Sequence, residues 1–313
     1  MKHFLHVDDI DSTASWLSLA AECKKEPFKF EKKGKGKVLG LLFFNNSLRT
    51  RLSTQRAAYH LGMHCMTMNI GNEGWALEFE DGTIMDQGKA EHIREAARVI
   101  SQYCDVLGVR AFASLKDREK DEAEQVLHGF KKYATIPILN LESATGHPLQ
   151  ALADLITITE YQQTTRPKVV LSWAPHPRAL PQAVPNSFAG IMKNNPQFDF
   201  SITHPKGYEL NPEIVRDIPV FHDQNEALKD ADFVYVKNWS ASRPYGAVLS
   251  DDPHWMITRE KLGKAYFMHC LPVRRNVIVE DAVLDSSNSL VIEQANNRTF
   301  AAQVALMKIL ESL

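Results

Sequence analysis

The stretch FFNNSLRTRLSTQRAAYHLG, Phe43 to Gly62, decides how the chain is read. Two phenylalanines close an apolar run, KVLGLLFF, which reads as a buried strand around residues 38–45. Small polar residues follow, then two arginines, Arg49 and Arg51, and a run with helical spacing. That spacing predicts a helix turning Leu52, Ala57, Ala58 and Leu61 to the core. Ser47 stands where an N-cap belongs, at the end of the strand-to-helix loop. Free backbone N–H groups and the positive end of the helix dipole gather there. With Arg49 and Thr50 added, the turn suits a dianion such as phosphate. Taken alone, the stretch fits equally well a capped helix with solvated arginines.

The same alternation continues outward. CMTMNI reads as a second strand, and EHIREAARVISQY as a helix with Ile93, Ala96, Ala97 and Ile100 on one face. DVLGVR and IPILNL read as two further strands. This order predicts a parallel sheet covered by helices on both faces. A helix is expected from about Pro148 to Tyr161. KVVLSW at 168–173 opens a second series, followed by FDFSITHP, IPVFHD, ADFVYVKNW, AYFMHCLP and SLVIEQ as strands. The expected fold is therefore α/β, with two doubly wound parallel-sheet domains joined by long helices. The expected domains are 1–147 and 148–297, with a last helix at about 298–313 returning to the first. Length agrees with two cores, since the chain has 313 residues.

Composition narrows the class. Apolar residues make up 44%, charged residues 24%, and formal net charge is -2, so nucleic acid is not favoured as a partner. No apolar run reaches the roughly 20 residues needed to span a bilayer. The opening MKHFLHVDDIDS turns acidic too soon for a secretory signal. Four scattered cysteines, Cys23, Cys65, Cys104 and Cys270, suggest thiols in a reducing cytoplasm.

Three further segments lie at predicted C-terminal strand ends, where open parallel sheets bind ligands. They place Arg110 after one strand, His147 and Gln150 after another, and His269, Cys270, Arg274 and Arg275 in the second domain. Each has a bland reading as surface charge, turn or inert packing. Their joint appearance at one edge of two sheets does not.

The motifs Ser47-Leu48-Arg49-Thr50-Arg51, His147-Pro148-Leu149-Gln150 and His269-Cys270-Leu271-Pro272 resemble those of the transcarbamylase family, on its ornithine side. The resemblance covers nearly the whole chain. It implies a carbamoyl-phosphate-binding first domain, an amine-substrate second domain, and a homotrimer with active sites between subunits. It assigns Ser47, Leu48, Arg49, Thr50, Trp75, Arg110, His147, Pro148, Leu149, Gln150, Cys270, Leu271 and Arg298 to carbamoyl phosphate. Arg110, His147 and Cys270 would be the catalytic groups, with Cys270 orienting substrate rather than forming a covalent bond. Thr50, Arg110 and His147 would stabilise the carbonyl oxygen in the manner of an oxyanion hole, and Gln150 would hold the carbamoyl NH2. Arg298, expected to open the last helix, would reach the carbamoyl group. Trp75, in GNEGWALE, would reach the neighbouring subunit's site. The chemistry implies no metal and no cofactor, and no spacing such as H-E-x-x-H occurs.

Two departures bear on the amine. Ornithine-specific members carry a D-x-W-x-S-M-G-like segment whose aspartate meets the α-ammonium. Here VKNWSASRPYG puts Lys237 at that place, and a cation repels an ammonium. The proline-rich WAPHPRALPQAVPNS, 173–187, resembles the loop of members acting on N-acylated ornithine. The acyl substrate would meet Glu142, His176, Lys237, Arg274 and Ala90. Acetyl-preferring members resemble one another in carrying a glutamate where Ala90 stands. Succinyl-preferring members are expected to carry a small or neutral residue there, proline above all. Ala90 departs from both patterns but is small and neutral, which favours N-succinylornithine. A one-residue shift that put Glu91 there would favour N-acetylornithine instead. Unmodified ornithine, aspartate, and a silent carbamoyl-phosphate-binding relative are weaker readings. The implied setting is arginine synthesis.

Overall fold

A computed structural model describes residues 1–313 as two compact units. The first comprises Met1–Ser114, Glu119–Leu149 and Arg298–Leu313, and the second Leu115–Arg118 and Gln150–Asn297.

In the first unit α1 (Thr13–Lys25) precedes β1 (Val38–Phe43), α2 (Arg49–His60), β2 (His64–Asn69) and α3 (Ile70–Glu73). A small parallel pair follows, β3 (Leu77–Glu78) with β4 (Glu91–His92). Then come α4 (Ile93–Ile100), β5 (Val106–Arg110), α5 (Arg118–Glu122), α6 (Gln125–Tyr133) and β6 (Ile138–Glu142). The sheet is parallel in the order β2-β1-β5-β6. One of its faces packs Leu42, Leu107 and Val109 against Ile93, Ala96 and Ala97 of α4 and Leu127 and Phe130 of α6. Fully burying a side chain of this size stabilises by about 1.5–3 kcal/mol. Gly108 sits mid-strand because a Cβ there would lie 2.9 Å from Leu41 Cδ2, so the absent side chain admits its neighbours.

The helix α7 (Pro148–Tyr161) carries the chain into the second unit. There β7 (Lys168–Trp173), α8 (Ala183–Lys193), β8 (Asp199–Thr203), α9 (Pro212–Val215), β9 (Val220–Phe221) and α10 (Gln224–Leu228) lead to β10 (Phe233–Lys237). The chain continues through α11 (Arg259–Leu262), β11 (Tyr266–Met268), α12 (Asp281–Leu284) and α13 (Val291–Leu310). This sheet is parallel in the order β11-β10-β7-β8-β9. Val170, Val234, Val236 and Phe267 form a core with Ile257, Leu262 and Val283.

Both sheets reverse strand order once, between β1 and β5 in the first and between β7 and β10 in the second. Ligands of open α/β sheets bind outside the carboxyl ends of the strands at such a reversal. Phe43 pairs with Arg110 at the first of these ends, and Trp173 with Lys237 at the second.

Five expectations need correction. Ser47 is not the N-cap: Leu48 is, with helical dihedrals and no side-chain cap, and its carbonyl accepts from Leu52 N. Leu52 is 58% exposed, and Thr54 joins Ala57, Ala58 and Leu61 among the buried residues instead. SLVIEQ is not a strand. Ser289 makes a single bridge to Phe267, and Val291 already begins α13, so Arg298 lies about two turns inside that helix rather than at its start. The proline-rich stretch is only partly loop. Pro185 lies in the first turn of α8, where a missing N–H costs no helical hydrogen bond.

Candidate active site

The first unit gathers charge at the end of β1 and β5. A register shift between Val109 and Arg110 sets Arg110 opposite Glu142 on β6. Arg110 Nη1 lies 2.7 Å from Glu142 Oε2, with both side chains about a tenth exposed or less. Its guanidinium also lies over the Phe112 ring at 4.3 Å, which fixes its plane. Phe112 N in turn donates to Asn45 Oδ1 at 2.7 Å, tying the loop after β1 to the loop after β5.

Thr50, in the first turn of α2, is the meeting point. Its Oγ1 accepts from Arg110 Nη1 at 2.9 Å and from Arg298 Nη2 at 2.5 Å. Arg298 Nη2 is also 3.2 Å from His147 Nε2, which lies 3.4 Å from Glu142 Oε2. Thr50, Arg110, Glu142, His147 and Arg298 are all buried. Burial, then the charges of Arg298 and Arg110, push His147 well below the usual imidazole range. The ring is therefore neutral near pH 7, able to donate one hydrogen bond and accept another. The loop before it is clamped: Thr145 N and Oγ1 both reach Glu124 Oε1 at 2.8 Å, and Ser143 N bonds Gly146 O at 2.8 Å.

Ser47 is partly exposed, Leu48 is 67% exposed, and Arg49 is partly buried with an unpartnered Nε. Pro148 and Leu149 begin α7 and are buried. Arg110 and Arg298 thus converge on Thr50, with Arg49 one residue before it and Glu142 paired to Arg110, a positive cluster suited to a phosphate ester. A separate cleft of about 300 Å³ lined by Phe43–Asn46, Asn69, Gly71 and Asn72 contains no charged side chain and none of the predicted residues.

Trp75 lies between α3 and β3, 59% exposed, and its Nε1 donates to Glu91 Oε2 at 2.9 Å. Ala90 is exposed beside it, its N bonded to Ala76 O at 3.0 Å. Glu91 is paired in β4 with Leu77.

In the second unit, His176 Nδ1 is 2.9 Å from Arg178 O, and its Nε2 accepts from Arg274 Nε at 3.1 Å. Arg274 Nε can only donate, so Nε2 carries no proton and the ring is neutral, while Nδ1 also lies 3.0 Å from Arg178 N. Burial lowers its pKa most, and Arg274, Lys237 and Arg178 each lower it further by their charge. Lys237 ends β10, is only 9% exposed, and its Nζ bonds Asn238 O at 3.1 Å without a carboxylate partner. Arg274 is exposed. Cys270 is a partly buried free thiol, and Leu271 adopts a left-handed φ of 56° while donating its N–H to His269 Nδ1 at 2.8 Å. Leu271 thereby holds a conformation most side chains avoid. Gln150, on α7, is 1% exposed.

Two residues escaped the sequence reading. Asp154 is fully buried and accepts from Gln150 Nε2 and from Gln294 Nε2, each at 2.7 Å. The available signal was a carboxylate four residues after Gln150 on an otherwise apolar helix face.

Comparison with known proteins matches two family domains in succession. Residues 2–160 match the family described as aspartate/ornithine carbamoyltransferase, carbamoyl-P binding domain. Residues 184–310 match the corresponding Asp/Orn binding domain. The chain is 51% identical over 318 residues to an N-succinylornithine carbamoyltransferase of Bacteroides thetaiotaomicron, covering 100% of both. It is 36% identical to an N-acetylornithine carbamoyltransferase of Xanthomonas axonopodis pv. citri, covering 100% of this chain and 97% of that one. Among solved structures, it is similar to acetylornithine transcarbamylase complexed with acetylcitrulline, with TM-score 0.91, 34% identity and 99% of each chain covered. It is equally similar, at TM-score 0.91 and 35% identity, to a glutamate-to-alanine variant of N-acetyl-L-ornithine transcarbamylase complexed with carbamyl phosphate and N-succinyl-L-norvaline. That match covers 99% of this chain and 100% of that one.

Proposed function

The chain belongs to the aspartate/ornithine carbamoyltransferase family, and on that premise we propose that it carbamoylates the δ-amine of N-succinyl-L-ornithine. The products are N-succinyl-L-citrulline and phosphate. The observation that carries the choice of amine is the cationic group around neutral His176. Arg274, Lys237 and Arg178 all act on that ring, and the buried Lys237 has no carboxylate beside it. A buried ammonium without an anion is costly, so the group suits a ligand that brings carboxylates. N-succinylornithine brings two and no α-ammonium. The small, neutral Ala90 supports the longer acyl chain, and Glu91 is engaged by Trp75. A variant of a structural relative with alanine in place of a glutamate accommodates N-succinyl-L-norvaline.

The reaction begins with the neutral δ-amine attacking the carbonyl carbon of carbamoyl phosphate. The C–O bond to phosphate then breaks from the tetrahedral intermediate, and the ammonium proton passes to the departing phosphate. Ser47, Arg49, Thr50, Arg110 and Arg298 are assigned to the phosphate and carbonyl oxygens. Negative charge grows on the carbonyl oxygen, where donors preorganised in a dry site matter most. Neutral His147 supplies an N–H there without demanding a counter-ion. Gln150 takes the carbamoyl NH2, and Cys270 and Leu271 orient the incoming amine. Glu142 holds Arg110 and His147 and meets the amine substrate.

We further assign the enzyme to arginine synthesis through acylated intermediates, in the cytoplasm, as a homotrimer in which the Trp75 loop reaches a neighbouring site. Four free cysteines suit a reducing compartment, and no helix is long and apolar enough to cross a membrane. The exposure of Trp75 suits a contact with another copy.

The test is phosphate release from carbamoyl phosphate with and without N-succinylornithine. Release that depends on the acylornithine and stops when ornithine replaces it supports the reading. Release with ornithine alone overturns the role given to Lys237.

A further inference from the structure

Asp154 is an acidic residue on α7 that no step of the chemistry above uses. It is fully buried, and its Oδ1 accepts two side-chain amides at 2.7 Å. One belongs to Gln150, the other to Gln294 of α13. Gln294 then turns its Oε1 to His269 N at 2.9 Å, and His269 Nδ1 accepts from Leu271 N at 2.8 Å. A single carboxylate thus reaches two motifs, through Gln150 in one direction and the loop holding Cys270 and Leu271 in the other.

Asp154 Oδ1 accepts from both amides, and an oxygen in that role faces N–H groups only. A glutamine facing it must present its NH2, since the opposite orientation would set oxygen against oxygen. The other end of the Gln150 amide is then fixed as an acceptor. That atom, Oε1, is buried with no hydrogen-bond partner. A buried acceptor left unsatisfied is unfavourable and gains most from a ligand that donates. The carbamoyl group has one donor, its NH2, and two kinds of acceptor.

We propose that Asp154 is a positioning residue that locks the Gln150 amide with Oε1 toward the ligand. It thereby selects a carbonyl phosphate bearing NH2 over one bearing CH3. The inference rests on the carbamoyl-phosphate reading of the site. Through Gln294 the same carboxylate fixes the backbone at His269, so that the donor-selecting amide and the loop orienting the amine share one anchor.

The test compares carbamoyl phosphate with acetyl phosphate, which has the same shape but carries CH3 in place of NH2. Dissociation constants for both are measured on the full-length wild-type protein and on Asp154→Asn. The asparagine keeps the volume but offers NH2 on one side, so it no longer forces the Gln150 orientation. The preference for carbamoyl over acetyl phosphate is expected to fall about tenfold, the value of one hydrogen bond to a buried group. Acetyl phosphate itself should bind as before. Equal weakening of both ligands, or an unchanged preference, overturns the proposal, since a merely structural defect would not distinguish NH2 from CH3. If the variant does not fold, a neutron structure of the wild-type protein with carbamoyl phosphate, which locates the amide deuterons, decides. Gln150 Oε1 within hydrogen-bond distance of the carbamoyl nitrogen supports the proposal, and Nε2 in that place overturns it. Wild-type protein that fails to turn over carbamoyl phosphate with any acylornithine would instead refute the underlying reading.

Discussion

Replacing Arg110 with methionine tests how the buried charges of the first unit depend on one another. Arg110 and Glu142 form a 2.7 Å pair with side chains 9% and 11% exposed, so solvent screens it little. Removing one partner of such a pair costs about 3–5 kcal/mol, because the other charge stays buried without its counter-ion. Arg110→Met should therefore lower stability by about that amount. Glu142→Gln in the same background removes the stranded carboxylate, and the double variant should recover more than half of the loss. Activity behaves differently. Arg110 is an oxyanion donor in the proposed mechanism, and losing one such donor lowers the rate about 10²–10³-fold. The double variant should stay inactive while regaining stability. The assay is urea unfolding of the wild type, both single variants and the double, at fixed protein concentration, alongside turnover. A double variant no more stable than Arg110→Met would show that the pair is not the source of the cost.

Three other expectations follow from the geometry. His147 is held neutral well below its ordinary value of 6.5, so the unfolded chain takes up a proton there before the folded one does. Stability from this residue is complete above about pH 6.5 and falls as pH drops from there toward the depressed folded value. His147→Gln should flatten the loss between about pH 6.5 and 5 in thermal melts, and an unchanged slope would contradict the buried neutral ring. Ala90→Glu should lower kcat/KM for N-succinylornithine at least about tenfold, by crowding and like charge, and affect N-acetylornithine less. An equal effect on both would remove Ala90 from the acyl contact. Cys270→Ser should keep turnover within about tenfold and show no carbamoyl adduct by intact mass, since its role is to orient. Complete loss, or an adduct on the wild-type thiol, would make it a nucleophile.

Much of this site is legible in the sequence because strand ends are. Apolar runs such as KVLGLLFF mark the strands, and the polar residues just beyond them fall at carboxyl edges by topology alone. Thr50, Arg110 and His147 follow β1, β5 and β6 in this way, whereas Arg298, which joins them, comes from inside α13, where no strand end marks it. What the sequence hides is local competition. Ser47 looks like a cap, yet Leu48 takes helical dihedrals first and shifts the helix start. SLVIEQ has β-branched residues, yet only Ser289 reaches the sheet before tertiary packing draws Val291 into α13. Asp154 reads as a solvated helix charge because charged residues are seldom buried unless partnered. Its partner Gln294 lies far along the chain, so no local pattern announces it. The grouping of His176 with Arg274, Lys237 and Arg178 is likewise a product of two loops and a strand end.

The most direct test of the central claim is an internal competition. Equal concentrations of N-succinylornithine, N-acetylornithine and ornithine are offered together with carbamoyl phosphate, and the three citrullines are quantified by mass spectrometry at low conversion. The product ratio gives the ratio of kcat/KM values directly. N-succinylcitrulline is expected in large excess, with a minor N-acetyl product and no free citrulline. Predominant N-acetylcitrulline would contradict the open acyl pocket at Ala90, and predominant citrulline would contradict the carboxylate-seeking role of Lys237.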